Sequence, residues 1–202
     1  PNVKEFEKKM SIFCNSKYAL AISNGTVALD LALKVINIKP NDQIIVPAIS
    51  YFSSASAISY QKAIPVFVDI ELDTFNIDPS KIEQAITSRT KAIIYIDYGG
   101  NPSQHEKIFK IAKKYNLIVI NDAAQSLGAK KNGKKWGAFG HISTMSFHMA
   151  KMITTIEGGM IFTNNQKYYN RILALRNIGE PKNKKYIHEE IGTNARMTDL
   201  QA

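Results

Sequence analysis

The sequence predicts an α/β protein built on a largely parallel sheet with helices on both faces. Three observations lead there. Short continuous apolar runs, among them Ile44-Ile45-Val46, Ala92-Ile93-Ile94 and Leu117-Ile118-Val119-Ile120, recur along the chain, and a strand without polar alternation is buried on both sides, as in a parallel sheet. Segments with apolar residues at helical spacing alternate with these runs. The 202 residues are 45% hydrophobic and 21% charged, an ordinary globular composition with enough chain for one substantial core or two small ones.

Taken in order, Val3, Phe6, Met10 and Phe13 recur at helical spacing and predict an opening amphipathic helix before the apolar strand Tyr18-Ala19-Leu20-Ala21-Ile22. Ser23-Asn24-Gly25-Thr26-Val27-Ala28-Leu29 follows. A strand that ends in a glycine turn and enters a helix through a threonine leaves backbone N–H groups free beside a hydroxyl, which suits a phosphate; a plain capped connection is the equal alternative. Gln43-Ile44-Ile45-Val46-Pro47 reads as the next strand, and residues 50–60 as a helix of small residues with Tyr51 and Phe52 at its start. Residues 64–69 read as a strand, 80–86 as a short helix and 92–97 as a strand. Tyr98-Gly99-Gly100-Asn101-Pro102 is a turn, and Ser103-Gln104-His105-Glu106 has capping-box spacing ahead of a helix running to Tyr115. Residues 117–121 form a strand that runs into Asp122. Two last strands, at 143–147 and 159–163, enclose a loop that carries Lys151.

Composition and motifs exclude several function classes. No stretch approaches the roughly 18 apolar residues of a membrane helix, and Pro1-Asn2-Val3-Lys4-Glu5 is not an export signal, so a soluble, cytoplasmic protein is expected. The Asn24-Gly25-Thr26 sequon is discounted on the same ground. A single cysteine, Cys14, rules out an internal disulfide framework and a cysteine zinc site, and no metal site is expected. The net charge is +9, from 26 Lys+Arg and 17 Asp+Glu. Its lysines are spread out, with clusters at Lys130-Lys131, Lys134-Lys135 and Lys182 to Lys185 and no interleaved aromatics, which describes a solvated surface better than a nucleic-acid site. G-x-G-x-x-G after the first strand, G-x-x-x-x-G-K-[ST] and H-E-x-x-H are absent, which removes the usual signatures of nicotinamide, nucleoside-triphosphate and zinc-protease chemistry.

Four features remain. Lys151 lies among the apolar or hydroxylic residues 149–156, and a lysine drawn out of water has its ammonium form disfavoured and can attack a carbonyl; a solvated tip is the plain alternative. Asp122 ends a strand, where it could equally cap a helix. Gly25-Thr26 and Tyr51 follow other strand ends, and in open α/β sheets ligands bind beyond the carboxyl ends of the strands. A phosphate cradle, a flat aromatic face, a carboxylate and an amine together meet the requirements of pyridoxal phosphate.

These residues also carry a family resemblance. Ser23 to Leu29, Pro65-Val66-Phe67-Val68-Asp69, Asn121-Asp122-Ala123-Ala124-Gln125-Ser126-Leu127-Gly128-Ala129, the stretch from Ser146 to Gly159, and Asn194-Ala195-Arg196-Met197-Thr198-Asp199-Leu200-Gln201-Ala202 together resemble the DegT/DnrJ/EryC1/StrS group of pyridoxal-phosphate-dependent sugar aminotransferases along the whole chain. The resemblance implies a fold-type-I large domain with a seven-stranded, mostly parallel sheet. Residues 1–202 would be that cofactor-binding domain, incomplete at both ends, with a smaller carboxy-terminal domain beyond Ala202. Lys151 would bind the cofactor covalently, Asp122 would pair with its ring nitrogen, and Tyr51 would stack on the ring. Gln125 would approach the other face or the hydroxyl edge. Gly25, Thr26, Val27 (through its backbone N–H) and Ser146 would contact the phosphate. Asn194 or Arg196 would reach the neighbouring subunit's site, which makes the functional unit a homodimer with shared active sites.

The implied reaction moves an amino group from an amino acid, glutamate, to a keto group of a nucleotide-diphosphate sugar, for bacterial surface glycan or amino-sugar biosynthesis. A dehydratase branch of the same fold commonly carries histidine where Lys151 stands, and a non-catalytic basic binding module is a further alternative of a different class. Two departures fall near the expected substrate pocket. Asp97-Tyr98-Gly99-Gly100 stands where the family often has a histidine-containing turn, and His148-Met149-Ala150 is a loose match to the residues before the lysine.

Overall fold

The structure, a computed structural model, describes residues 1–131, 134–135 and 139–202. Helix α1 (Asn2–Phe13) precedes β1 (Tyr18–Ile22), α2 (Gly25–Val35), β2 (Gln43–Pro47), α3 (Ser53–Tyr60) and β3 (Ile64–Val68). Next come α4 (Pro79–Ile82), β4 (Thr90–Ile96), α5 (His105–Lys114) and β5 (Ile118–Asp122), with a 3₁₀ turn, Glu83–Ala85, continuing α4. A two-stranded ribbon of β6 (Lys130–Lys131) and β7 (Lys134–Lys135) leads to β8 (Ile142–Ser146), β9 (Gly159–Thr163) and α6 (Gln166–Leu175).

Seven strands form one sheet in the order β1-β9-β8-β5-β4-β2-β3. All pair in parallel except β9, which runs antiparallel between β1 and β8. The strands alternate strictly between two faces, and helices cover both. Leu20, Ile44, Ala92, Ile94 and Ile120 pack with residues of α2, α3 and α6 on one face. On the other, Ile45, Ile93, Tyr95 and Val119 pack with α4 and α5, while Ala19, Ala21, Met160 and Phe162 pack under α1. Each fully buried Ile, Leu or Phe contributes roughly 1.5–3 kcal/mol, so this double layer is the main source of the fold's stability.

The expected fold class and strands are present, with small shifts at the ends. Two local expectations are corrected, and one helix is added. The helix expected over 50–60 begins at Ser53, because Ser50 Oγ bonds Tyr51 O and Ser54 Oγ and leaves Tyr51 outside the helix. The capping box at 103–106 does not form. Ser103 donates its hydroxyl to Ile96 O (2.8 Å) and its N–H to Asp97 Oδ1 (2.9 Å), which ties it to the end of β4, and α5 starts without a side-chain cap. Helix α6 was not anticipated; Asn165 caps it through the Lys167 and Tyr168 N–H groups.

Arg176, just beyond α6, fastens the amino-terminal helix to the sheet. Its guanidinium bonds Glu7 Oε1 at 2.5 Å and Ala21 O at 2.8 Å, while Glu7 Oε1 also accepts the Ala21 N–H. No helix among the described residues is long and apolar enough to cross a membrane.

Candidate active site

At the carboxyl ends of β1, β4, β5 and β8, on the face shared with α2 and α3, lies a cavity of about 750 Å³. Gly25, Thr26, Val27, Tyr51, Asp122, Gln125, Ser146 and Lys151 all line it. The fold therefore brings together eight of the ten residues singled out in the sequence. Asn194 and Arg196 do not line it. Their segment folds back on its own domain through a bridge between Ile22 and Arg196 and a bond from the Ser23 N–H to Ala195 O at 2.9 Å; the Arg196 guanidinium bonds Asn177 Oδ1. Both side chains are exposed.

The phosphate-cradle reading is refined by the helix cap. Asn24 is extended and its Oδ1 accepts the Val27 N–H at 2.9 Å, so the Val27 N–H expected to face a phosphate is already used. The Gly25 and Thr26 N–H groups keep no intrahelical partner, and α2 adds the positive end of its dipole. Gly25 is required by close packing: a Cβ there would lie 2.9 Å from Ser146 Cβ and 3.3 Å from Ser146 Oγ. Gly159 serves the same approach from the other side, since its Cβ would meet Asn24 C at 2.5 Å. The helix start, the end of β8 and the start of β9 are thus pressed together around the cradle.

Asp122 is 6% exposed. Its Oδ2 accepts from Ser54 Oγ at 3.0 Å and its Oδ1 from the Ala124 N–H at 3.2 Å. Burial raises its pKa above the ordinary carboxylate value, against the lowering pull of the Ala124 N–H, the Ser54 hydroxyl and the Lys151 charge; Asp97 adds to the rise. A buried carboxyl held by two donors and facing a cavity is ready for a cationic hydrogen-bond partner.

Lys151 owes its position to the antiparallel return of the chain. The Phe147 N–H bonds Gly158 O at 2.8 Å and the Thr155 N–H bonds Phe147 O at 3.0 Å, which closes the loop between β8 and β9 over the end of β5. The apolar neighbours expected to draw the lysine out of water are themselves exposed, Met152 at 79% and Ile156 at 75%, and Lys151 is half-buried. Tyr51, 73% exposed, lies at the cavity rather than in the core. Gln125 Oε1 accepts the Gly99 N–H at 2.7 Å, which fixes which end of its amide is spoken for.

Glu157 on the cavity wall and Ser54 behind it were not anticipated. Ser54, the partner of Asp122, is held from α3 in a contact spanning 68 positions of sequence. His148 and Glu157 sit at the two ends of the lysine loop, with Nε2 and Oε1 3.7 Å apart. Of the two departures from the family pattern, His148 lines the cavity and Asp97 does not; Asp97 is fully buried and accepts from Ser103, Asn121 and Ser126. Among the described residues no cluster of three or more His, Cys, Asp or Glu is placed to hold a metal ion.

Comparison with known proteins places the chain in a family. The chain is 44% identical over 200 residues to the GDP-perosamine synthase of Escherichia coli O157:H7, covering 99% of this chain and 55% of the relative. It is 43% identical over 201 residues to the dTDP-3-amino-3,6-dideoxy-alpha-D-galactopyranose transaminase of Aneurinibacillus thermoaerophilus, covering 99% and 55%. Among solved structures, NtdA of Bacillus subtilis with bound cofactor PMP superimposes with a TM-score of 0.92 at 35% identity, over all of this chain and 46% of that one. The chain spans about half the length of the curated relatives it matches. A family model matches residues 1–202 from end to end, and the chain belongs to the DegT/DnrJ/EryC1/StrS aminotransferase family.

Proposed function

We propose that residues 1–202 are the large cofactor domain of a cytoplasmic, pyridoxal-phosphate-dependent aminotransferase that moves an amino group from glutamate to a keto group of a nucleotide-diphosphate sugar in amino-sugar or surface-glycan biosynthesis. The observation that carries this reading is the convergence of Lys151, Asp122 and the Gly25-Thr26 helix start on one cavity. The donor set fits the cofactor: unpartnered helix N–H groups and the Ser146 hydroxyl for a phosphate, a buried carboxylate for a ring nitrogen, and an amine for a carbonyl. The related proteins named for GDP- and dTDP-linked sugars share a nucleotide-diphosphate sugar and differ in the base, which supports the substrate class and leaves the base unassigned.

Bound pyridoxal phosphate supplies an electron sink that stabilises negative charge on the reacting carbon. The chain's own residues do the rest. Asp122, held by Ser54 and the Ala124 N–H, would keep the ring nitrogen protonated. Among the described residues lining the cavity, Lys151 Nζ is the only amine, so it would hold the cofactor's carbonyl and would move the proton at the donor's carbon, as base and then acid. Tyr51 would cover the ring, and Gly25, Thr26 and Ser146 would hold the phosphate end.

The reading includes a homodimer. Met149, Met152, Ile153 and Ile156 beside Lys151, with Tyr51 and Phe52 opposite, leave large apolar side chains exposed around the cavity. A second subunit covering them, with Asn194 or Arg196 reaching its neighbour's phosphate, supports shared sites. The test is to load the full-length protein with pyridoxal phosphate, add glutamate, and screen nucleotide-linked keto sugars for amine product. Cofactor loading without amine transfer to any of them would refute the substrate class.

A further inference from the structure

Three polar side chains stand on the cavity face of the sheet at the ends of β5 and β8: Asp122, Thr144 and Ser146. Asp122 has the partners already described, and Ser146 Oγ accepts the His148 N–H at 3.3 Å. Thr144 is different. It is 1% exposed, lines the cavity, and its Oγ1 is buried without a hydrogen-bond partner. A buried, unsatisfied hydroxyl is costly and uncommon, and here it is not at the rim, where water would satisfy it, but on the floor.

Register places it. Asp122 and Thr144 are direct partners in the parallel pairing of β5 with β8, and the Ala123 N–H bonds Thr144 O at 2.8 Å. Neighbouring positions of paired strands present their side chains to the same face. An ionised carboxylate can accept about four hydrogen bonds, and Asp122 accepts two, from Ser54 and from Ala124. A ring nitrogen would take a third place.

We propose that Thr144 is a positioning residue for Asp122, its hydroxyl donating to the Asp122 carboxylate when the cavity holds its cofactor. This rests on the cofactor reading above. Burial holds the Asp122 carboxyl toward its neutral form. With a cationic ring nitrogen beside it the carboxylate is held ionised, and a donor to an ionised group is worth about twice a neutral one. Thr144 is then an acceptor-seeking group whose partner is strengthened by the ligand, which gives its buried, unpaired hydroxyl a role.

The experiment uses the full-length protein and two substitutions of opposite character. Thr144→Val keeps the shape and removes the hydroxyl; Thr144→Ser keeps the hydroxyl and removes a methyl. Cofactor dissociation constants are read from the absorbance of added pyridoxal phosphate, and melting temperatures from the cofactor-free protein. The expected result is about tenfold weaker cofactor binding in Thr144→Val with an unchanged or raised melting temperature, and near-normal binding in Thr144→Ser. A methyl that merely packs predicts the reverse, with Thr144→Val indistinguishable in binding and Thr144→Ser the less stable variant; that outcome overturns the proposal. If the unsubstituted protein takes up no pyridoxal phosphate, the cofactor reading itself fails, a result separate from equal binding by all three proteins.

Discussion

Ser54 Oγ, on the first turn of α3, donates to Asp122 Oδ2, at the end of β5, across 3.0 Å. The helix that follows β2 thereby orients the carboxylate at the tip of β5, on the cavity floor.

This contact makes Asp122→Asn a two-sided test. Burial raises the Asp122 pKa, so between the unfolded carboxylate value and the raised folded one the native state binds more protons than the unfolded chain. Stability of the cofactor-free protein therefore falls as pH rises through that window. Asp122→Asn should melt higher than the parent at neutral pH without cofactor, and the advantage should vanish below the ordinary carboxylate range, where both side chains are neutral. With cofactor, the half-reaction with the amino donor should slow by several orders of magnitude, since a buried charge-assisted hydrogen bond to the reacting system supplies a few kcal/mol. Near-normal turnover would remove Asp122 from the chemistry.

Lys151→Ala should abolish covalent attachment of the cofactor. Borohydride reduction of the loaded parent protein followed by peptide mapping should label the peptide containing Lys151 and no other. A labelled peptide elsewhere would falsify the assignment.

Gly25→Ala sets two effects against each other. At the start of a helix, alanine lowers unfolded-state entropy and gains up to about 1 kcal/mol. Here its Cβ would sit 2.9 Å from Ser146 Cβ, an atom next to the backbone that cannot swing away, and overpacking of this kind costs about 1–3 kcal/mol. A net loss of stability and weakened cofactor binding are expected together. Unchanged binding, measured by absorbance titration, would detach Ser146 and Gly25 from the phosphate.

Arg176→Leu leaves Glu7 half-buried, with a side chain 16% exposed and its charge partner gone. Breaking such a pair costs about 3 kcal/mol, and the double change with Glu7→Leu should recover part of the loss. Denaturant unfolding of the four proteins measures the coupling; additive losses would mean the pair is a surface contact in energetic terms.

On the shared-site reading, full-length protein should sediment as a two-fold dimer whose dissociation is weakened by pyridoxal phosphate, because a ligand held by both subunits would stabilise their union. Asn194→Ala or Arg196→Ala should weaken cofactor binding. A monomer that binds the cofactor stoichiometrically would defeat the shared-site reading.

What the sequence by itself determined was the layout. Buried parallel strands must be apolar on both faces, so β2, β4 and β5 could be read from runs such as Ile44-Ile45-Val46 and Ile118-Val119-Ile120, and the strand-end positions of Asp122 and Gly25 followed from connectivity. Lys151 was legible because a lone lysine between two strands stands out in its local company. The tertiary structure alone decided which donors each group meets. Ser54 reaches Asp122 across 68 positions, and Thr144 stands beside it only through the register of β5 with β8. It also decided that Asn24 consumes the Val27 N–H, that Ser103 serves β4 rather than capping α5, and that the backbone of 194–196 returns to β1. Hydrophobic periodicity records which face a residue presents; hydrogen-bond partners depend on distances of a few tenths of an ångström between segments far apart in the chain, which no local pattern encodes.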